Sequence, residues 1–275
     1  MPEFYEVQRI REYLSDAGIL NNPITDVGVM PLGVRLLANT SPAGFVALLR
    51  DNQIRKIHQR AKYSIFEMAK GFFVCHYRFT AIPFVTGFPY GDRLQVIHNL
   101  PVAESRTDRI RIRINFQHPE RELLYFDTRR LSTIRIYPDA RAIDEISELS
   151  VLADDLEHFQ PETFLEFQKR KLHLKAYLQD QTVPPSGVGN YLACEILARA
   201  TLFPWKECRY LNVKEYERLI AAIDEVKRLA KENTSYDWFW VYNRDVCQVC
   251  GEKVLREKRG HSQSTYFCNP CIIKQ

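Results

Sequence analysis

The chain has 275 residues, 45% hydrophobic and 26% charged, and a formal net charge of +4 at pH 7. This composition is ordinary for a soluble globular protein, and the length accommodates two domains, each with its own core. No apolar run reaches the roughly 18 residues that cross a bilayer, and the first residues lack a signal-peptide pattern. We therefore expect a cytoplasmic or nucleoid protein with no membrane partner.

The first half of the chain predicts an antiparallel β-sandwich with flanking helices. Val7, Ile10 and Leu14 recur at helical spacing and predict a helix over residues 3–17. Short strand-like runs follow, with Gly, Pro and Asp between them. In one run isoleucines alternate with arginines, which predicts a half-buried strand with a basic face. The predicted strands cover residues 62–68, 72–84, 94–100, 109–116, 123–126 and 133–137.

The second half predicts a mostly helical region and a cysteine-rich end. The apolar period becomes helical near residue 142. Predicted helices cover residues 143–152, 163–178, 189–200 and 213–229. We therefore divide the chain into domains 1–141, 142–240 and 241–275.

Four cysteines near the end of the chain have the spacing of a zinc ribbon. Two CxxC pairs are separated by residues 251–267, and a hairpin between them would bring four thiolates around one tetrahedral ion. Such a site leaves no open position for water, so the predicted Zn²⁺ is structural. Its ligands would be Cys247, Cys250, Cys268 and Cys271.

The first residues offer an amine beside carboxylates. Removal of Met1 would make Pro2 a free secondary amine, with Glu3 and Glu6 close behind it. An amine and acids so placed can attack an electrophilic carbon and transfer protons. The structural alternative is an ordinary second residue followed by glutamates in the first turn of a helix, where the macrodipole favours them.

Three further segments combine a possible function with a plain structural alternative. The run Gly187–Asn190 opens a helix, where it could bind a phosphate or simply cap the helix. Lys62 and His76 lie in or beside predicted strands and could be ordinary solvated side chains. The turn at 127–131 carries two arginines and a leucine, which suits insertion into a DNA groove.

In this order, these segments resemble the formamidopyrimidine-DNA glycosylase and endonuclease VIII family of base-excision repair enzymes. The resemblance rests on Pro2-Glu3 with Glu6, residues 60–63, the His76 strand, residues 127–131, residues 187–190, Val241-Tyr242 and the four-cysteine hairpin. It implies an α+β multidomain fold: an N-terminal β-sandwich, a helix–two-turn–helix domain and a zinc β-hairpin. Damaged double-stranded DNA would be the partner of a monomeric enzyme.

The resemblance also implies roles for individual residues. Pro2 would attack C1′ of the damaged nucleotide to form an iminium ion, and Glu3 would serve the proton chemistry of the sugar ring. The predicted catalytic set is Pro2, Glu3, Glu6 and Lys62. Phosphate-binding positions would be Lys62, His76, Asn190 and Tyr242. Phe79, Arg129 and Leu131 would fill the gap left by the flipped base.

Four departures from the family pattern affect these expectations. Phe4-Tyr5 replaces the usual small residue and proline, and Phe79 and Leu131 replace methionine and phenylalanine. Gln263 stands where the family usually has a phosphate-binding arginine, a loss for which Arg259 or His261 could compensate. Only residues 232–240 remain where 8-oxoguanine enzymes carry a long capping loop.

The short segment before Val241 affects which damaged base we expect the protein to accept. Its four aromatic residues could form a stacking surface for a lesion, or they could belong to the core. We predict preference for ring-opened purines or oxidised pyrimidines over 8-oxoguanine. A non-cleaving protein that binds lesions or abasic sites is the alternative function. A tautomerase with Pro2 as general base fits the N-terminus but leaves the cysteine hairpin unexplained.

Overall fold

A computed structural model describes residues 2–91, 107–118, 121–145, 147–259 and 263–273. The chain forms two compact units, residues 1–150 and 151–275. The finer division at residues 141 and 240 stays a prediction.

Within its described residues, the first unit contains the predicted N-terminal helix and eight strands. Its helices are α1 (Phe4–Asp16), α2 (Pro42–Leu49), α3 (Ala140–Asp144) and α4 (Ser147–Ser150), with 3₁₀ turns at Pro31–Leu36 and Thr107–Arg109. Its strands are β1 (Ile24–Val29), β2 (Ile54–Arg60), β3 (Tyr63–Met68), β4 (Phe72–His76), β5 (Ala81–Val85), β6 (Ile110–Phe116), β7 (Arg121–Asp127) and β8 (Thr133–Tyr137).

These strands form two four-stranded antiparallel sheets. One sheet has the order β1-β6-β7-β5 and the other the order β2-β3-β4-β8. Apolar side chains of both sheets lie together in one core, which Phe45 of α2 and the inner face of α1 also enter. The buried apolar side chains of both sheets exclude water from the space between them. The predicted antiparallel sandwich is confirmed.

Several strand predictions need correction. The predicted strand 72–84 is two strands, β4 and β5, because Arg78 adopts a left-handed backbone (φ +53°) and turns the chain between sheets. Strands β1 and β2 were missed, and the predicted strand 94–100 lies outside the described residues. The basic face of β6 is also wrong: Arg111 is 4% exposed and donates to backbone carbonyls, and Arg113 pairs with Glu122.

The second unit is mostly helical and carries a small hairpin. Its elements are α5 (Phe164–Gln168), α6 (Leu174–Gln179), α7 (Asn190–Ala200), a 3₁₀ turn at Cys208–Tyr210, α8 (Val213–Glu232), β9 (Leu255–Glu257), β10 (Thr265–Phe267) and α9 (Asn269–Ile273). The predicted helix 163–178 is broken, because Leu174 instead donates its backbone N–H to the Lys206 carbonyl. Helix α6, the turns at 180–189 and α7 form the expected helix–two-turn–helix.

Among the described residues, no helix combines the length and the apolar character that a membrane span requires.

Candidate functional site

The strand register brings several predicted site residues to one end of the sandwich. His76, the last residue of β4, pairs with Tyr63 at the start of β3 and with Thr133 at the start of β8. Asp127, the last residue of β7, pairs with Ala81 at the start of β5. The turns at 61–62, 77–80 and 128–132 therefore share this end, which we call the turn end of the sandwich.

The start of α1 is held at the same end by a side chain that the sequence did not single out. Gln59 Nε2 donates to the Phe4 carbonyl at 2.8 Å and to the Ala61 carbonyl at 3.0 Å. Pro2, Glu3 and Glu6 are all buried. The Glu3 backbone N–H donates to Glu6 Oε2 at 2.7 Å, within a capping box. Glu6 thus orients the residues that precede the helix.

Lys62 lies next to Glu3 and Arg78. Its side chain is 7% exposed, and burial lowers its pKa to about 8. The Glu3 carboxylate opposes this shift, while the Arg78 guanidinium adds to it. An amine with this pKa is still mostly protonated at pH 7, so Lys62 presents a cation beside the Glu3 carboxylate.

His76 is a neutral side chain among cations. Burial, helped by Arg78, Lys62 and Arg135, lowers its pKa to about 3. The ring stacks on Tyr63 with centroids 4.3 Å apart, and within the described residues its buried Nδ1 has no hydrogen-bond partner. His76 can therefore offer one N–H to an anion, without a charge.

Phe79, Arg129 and Leu131, which the resemblance implies fill the gap left by a flipped base, are called the wedge residues below. Asp127 organises the turn that carries two of them, Arg129 and Leu131. Its carboxylate is fully buried and accepts the backbone N–H groups of Arg129, Arg130 and Ser132 at 2.9–3.1 Å. The Thr80 hydroxyl also donates to it at 2.7 Å and ties the 77–80 turn to the 128–132 turn.

The wedge residues project from these two linked turns. Phe79 is 37% exposed and Leu131 is 39% exposed. The Arg129 guanidinium lies over the Phe79 ring, 4.8 Å from its centroid. Exposed apolar groups on an anchored frame suit insertion into a base stack.

In the second unit, Asn190 is the first residue of α7 and contacts the hairpin. Its Nδ2 donates to the Ser264 carbonyl at 2.9 Å, and within the described chain its buried Oδ1 accepts no hydrogen bond. Lys175, which the sequence did not single out, is 2% exposed and donates to Thr265 Oγ1 at 2.6 Å. It also donates to the Gln263 carbonyl at 3.3 Å. These contacts fix the hairpin backbone at Gln263 against α6 and α7.

Tyr242 is positioned by a buried carboxylate that was also missed. Glu195 is fully buried and accepts the backbone N–H groups of Trp240, Val241 and Tyr242 at 2.7–2.9 Å. Arg199, one turn further along α7, donates to the same carboxylate at 2.7 Å. The sequence did carry a signal for this contact: Glu195 and Arg199 are oppositely charged residues four positions apart in the otherwise apolar α7.

In the aromatic segment before Val241, Phe239 is buried, whereas Tyr236, Trp238 and Trp240 are half-buried. Phe239 is 3% exposed, and its ring lies within 4.6–5.7 Å of the rings of Tyr191, Tyr236, Trp238 and Tyr242. Trp240 stacks on the Arg199 guanidinium at 4.3 Å. The core alternative therefore holds for Phe239, and the neighbouring rings pack against it.

Arg259, one suggested replacement for the arginine lost at Gln263, contacts Trp205 and Glu257. Its guanidinium lies 4.3 Å from the Trp205 ring centroid and 3.5 Å from Glu257. His261, the other suggested replacement for the arginine lost at Gln263, lies outside the described residues.

The four predicted cysteine ligands lie together in a cluster that could hold a metal ion. The sulfur atoms of Cys247, Cys250, Cys268 and Cys271 all lie within 4.8 Å of one another, with contacts at 3.4–3.8 Å. A tetrahedral ion with Zn–S bonds of about 2.3 Å needs sulfurs about 3.8 Å apart, so the cluster fits a zinc-sized ion. All four positions would be protein thiolates, which leaves none for water.

Known proteins are similar to this chain in sequence. Residues 1–134 match the model described as the formamidopyrimidine-DNA glycosylase N-terminal domain. A formamidopyrimidine-DNA glycosylase of Nostoc sp. is 30% identical, with 99% of this chain and 100% of the relative covered. One from Ureaplasma parvum is 27% identical, with 98% and 99% covered.

Solved structures show the same fold. The Lactococcus lactis formamidopyrimidine-DNA glycosylase, non-covalently bound to DNA with an abasic site, has a TM-score of 0.81, 22% identity and 98% coverage of each chain. Its complex with FAPY-dG DNA gives a TM-score of 0.80 at 21% identity, with 98% and 99% covered. With its sandwich, its helix–two-turn–helix and its four-cysteine hairpin, the chain belongs to the formamidopyrimidine-DNA glycosylase and endonuclease VIII family.

Proposed function

We propose that the chain is a base-excision-repair DNA glycosylase with abasic-site lyase activity, acting on damaged double-stranded DNA. The observation that carries the proposal is the convergence at the turn end of the sandwich. Residues next to an N-terminal amine, a buried lysine and exposed wedge residues lie there together. The full-length relatives named as glycosylases support the same activity.

The chemistry begins with Pro2, once Met1 has been removed. Its secondary amine attacks C1′ of the damaged nucleotide, and the bond to the base breaks with the electron pair leaving on the base. The Glu3 carboxylate takes the proton that the attacking amine loses and delivers it to the ring oxygen as the sugar ring opens, which gives an iminium ion on Pro2. Proton loss from C2′ then expels the 3′ phosphate, and a second elimination expels the 5′ phosphate.

An N-terminal amine suits this role because it is a weaker base than an ordinary lysine. With a reference pKa near 8, about a tenth of such amines are neutral at pH 7, against well under a thousandth for an exposed lysine. Lys62 supplies a cation beside Glu3 and keeps that carboxylate within a charged pair. His76 offers a neutral N–H to a phosphate.

The remaining side chains hold DNA in the extruded conformation. Lys62, His76, Asn190 and Tyr242 bind backbone phosphates, which positions the strand without reading its sequence. Phe79, Arg129 and Leu131 fill the vacated stack and offset the few kcal/mol that base flipping costs. Gln263 contributes a weaker, uncharged contact than an arginine would.

The substrate is a ring-opened purine or an oxidised pyrimidine rather than 8-oxoguanine. Helix α8 ends at Glu232, and Glu195 already holds the backbone N–H of Trp240. The segment between them is short, and the buried ring of Phe239 anchors it, so little chain is left to close over a flipped base. Single-turnover rates on matched duplexes test this preference. Equal rates on 8-oxoguanine and formamidopyrimidine would refute it.

The metal is one structural Zn²⁺, bound by Cys247, Cys250, Cys268 and Cys271. Four thiolates select zinc over hard cations, and the ion would hold the hairpin that reaches Asn190 and Lys175. It supplies folding energy and no catalytic step. We further propose a monomer acting on DNA in the cytoplasm or nucleoid.

Borohydride trapping on abasic DNA tests the proposed activity. The reductant converts an iminium ion to a stable amine, so a lyase becomes covalently attached to DNA. Loss of the adduct in Pro2→Gly supports the mechanism. Tight binding of abasic DNA without an adduct, in protein shown by intact mass to lack Met1, would instead favour the non-cleaving alternative.

A further inference from the structure

Arg78, like Arg130 of the neighbouring turn, has a left-handed backbone at the turn end of the sandwich. It lies in the 77–80 turn, directly before Phe79, and its backbone has a φ of +53°. Side chains with a Cβ atom disfavour this left-handed region, where glycine is the default residue. The side chain itself is exposed. A large residue thus occupies a backbone conformation that favours glycine.

The charge of Arg78 adds to a local excess of positive charge. Arg78 follows His76 by two residues in the 77–80 turn, at the same end as Lys62, and its guanidinium lowers the pKa of both groups. Within the part of the chain that the structure describes, it forms no ion pair and no hydrogen bond. Two other arginines of this unit do form ion pairs: Arg113 pairs with Glu122, and Arg135 pairs with Glu148. Both the backbone and the charge of Arg78 therefore oppose folding.

A bound anion would explain why an arginine occupies this strained backbone position and would compensate the local excess of positive charge. We propose that Arg78 binds a DNA backbone phosphate at the turn end of the sandwich, next to the phosphate position of Lys62 and His76. The inference rests on the proposed function, since it assumes that DNA lies along this end. Arginine suits the role because its planar fork gives two charge-assisted hydrogen bonds to one phosphate. This contact would also restore a cation that the chain lacks at Gln263.

The proposal predicts opposite effects on DNA affinity and on stability. Arg78→Gly should weaken binding to a duplex with a tetrahydrofuran abasic analogue roughly tenfold at about 0.1 M salt. The slope of log affinity against log salt should fall by about 0.9, as expected for one lost phosphate contact. The unfolding midpoint should rise by about 1–3 °C, because glycine relieves the left-handed backbone and the repulsion disappears.

Two further variants separate charge from backbone conformation and from general electrostatics. Arg78→Lys keeps the charge and the Cβ atom, so it should retain most of the salt slope and show no gain in stability. Arg55→Gln removes one equally exposed charge from the far end of β2, roughly 17 Å along the strand from Arg60. It should leave the salt slope within about 0.2 of the wild-type value.

The outcomes distinguish this inference from the proposed function. If the wild type binds the abasic duplex and Arg78→Gly binds equally well with an unchanged slope, Arg78 has no phosphate contact and the inference is wrong. An affinity loss that depends on the opposite base, with an unchanged slope, would assign Arg78 to base reading and would also overturn it. Failure of the wild type to bind abasic DNA would instead remove the proposed function.

Discussion

The buried carboxylate of Glu195 provides a sharp test of how Tyr242 is positioned. Oε1 accepts the N–H groups of Val241 and Tyr242, and Oε2 accepts the Trp240 N–H and an Arg199 N–H. All four groups are N–H donors, and none of them can accept a hydrogen bond instead. In Glu195→Gln, the amide NH₂ must therefore face two N–H donors, whichever way it turns.

The magnitude follows from this geometry. Each buried donor left without an acceptor costs about 1–3 kcal/mol, so Glu195→Gln should lower the free energy of unfolding by about 2–6 kcal/mol. The matched control is Glu225→Gln, which removes the other carboxylate that pairs with Arg199. That carboxylate is 42% exposed and 3.2 Å from Arg199 Nε, so its loss should cost less than about 1 kcal/mol.

Urea unfolding followed by tryptophan fluorescence measures the stability of both variants, because Trp240 lies in the affected turn and Trp238 lies just before it. At low temperature, where both remain folded, only Glu195→Gln should also weaken DNA binding through the displaced Tyr242. Equal stability of the two variants would refute the assigned role of Glu195.

Three further predictions concern other parts of the molecule. Burial beside Arg78 lowers the pKa of Lys62 from 10.5 to about 8, so between these pH values the unfolded state binds the extra proton. The stability of the wild type relative to Lys62→Met should then rise by about 3 kcal/mol from pH 8 to 10.5, which urea unfolding at several pH values would detect. Asp127→Asn should loosen the wedge turn and slow base extrusion, measured by 2-aminopurine fluorescence, while cleavage of a preformed abasic site changes little. Chelation should remove one zinc per chain and abolish DNA binding, and Zn²⁺ but not Mg²⁺ should restore it.

The sequence predicted features that depend on local spacing. The zinc ligands lie in two short motifs, and helix α1 follows from the period of Val7, Ile10 and Leu14. The alternating pattern of β6 correctly indicated a strand. Its basic face was wrong, because burial of Arg111 is determined by carbonyl groups of Asp108 and Asp127 that lie outside the strand's own pattern.

The supporting residues could not be predicted because their partners are distant in sequence. Gln59 reaches the Phe4 carbonyl, and Lys175 reaches Thr265. No period or motif marks such pairs, since each depends on how separate elements pack. Arg78 was overlooked for a related reason: its left-handed backbone and its proximity to Lys62 appear only in the folded chain.

The most direct test of the proposed mechanism is to locate the covalent bond to DNA. Protein shown by intact mass to lack Met1 would be reduced with borohydride on abasic DNA, digested and mapped by mass spectrometry. The mechanism predicts one sugar adduct on the α-nitrogen of Pro2, absent when Met1 is retained. An adduct on any other amine, or full activity with Met1 still attached, would contradict it.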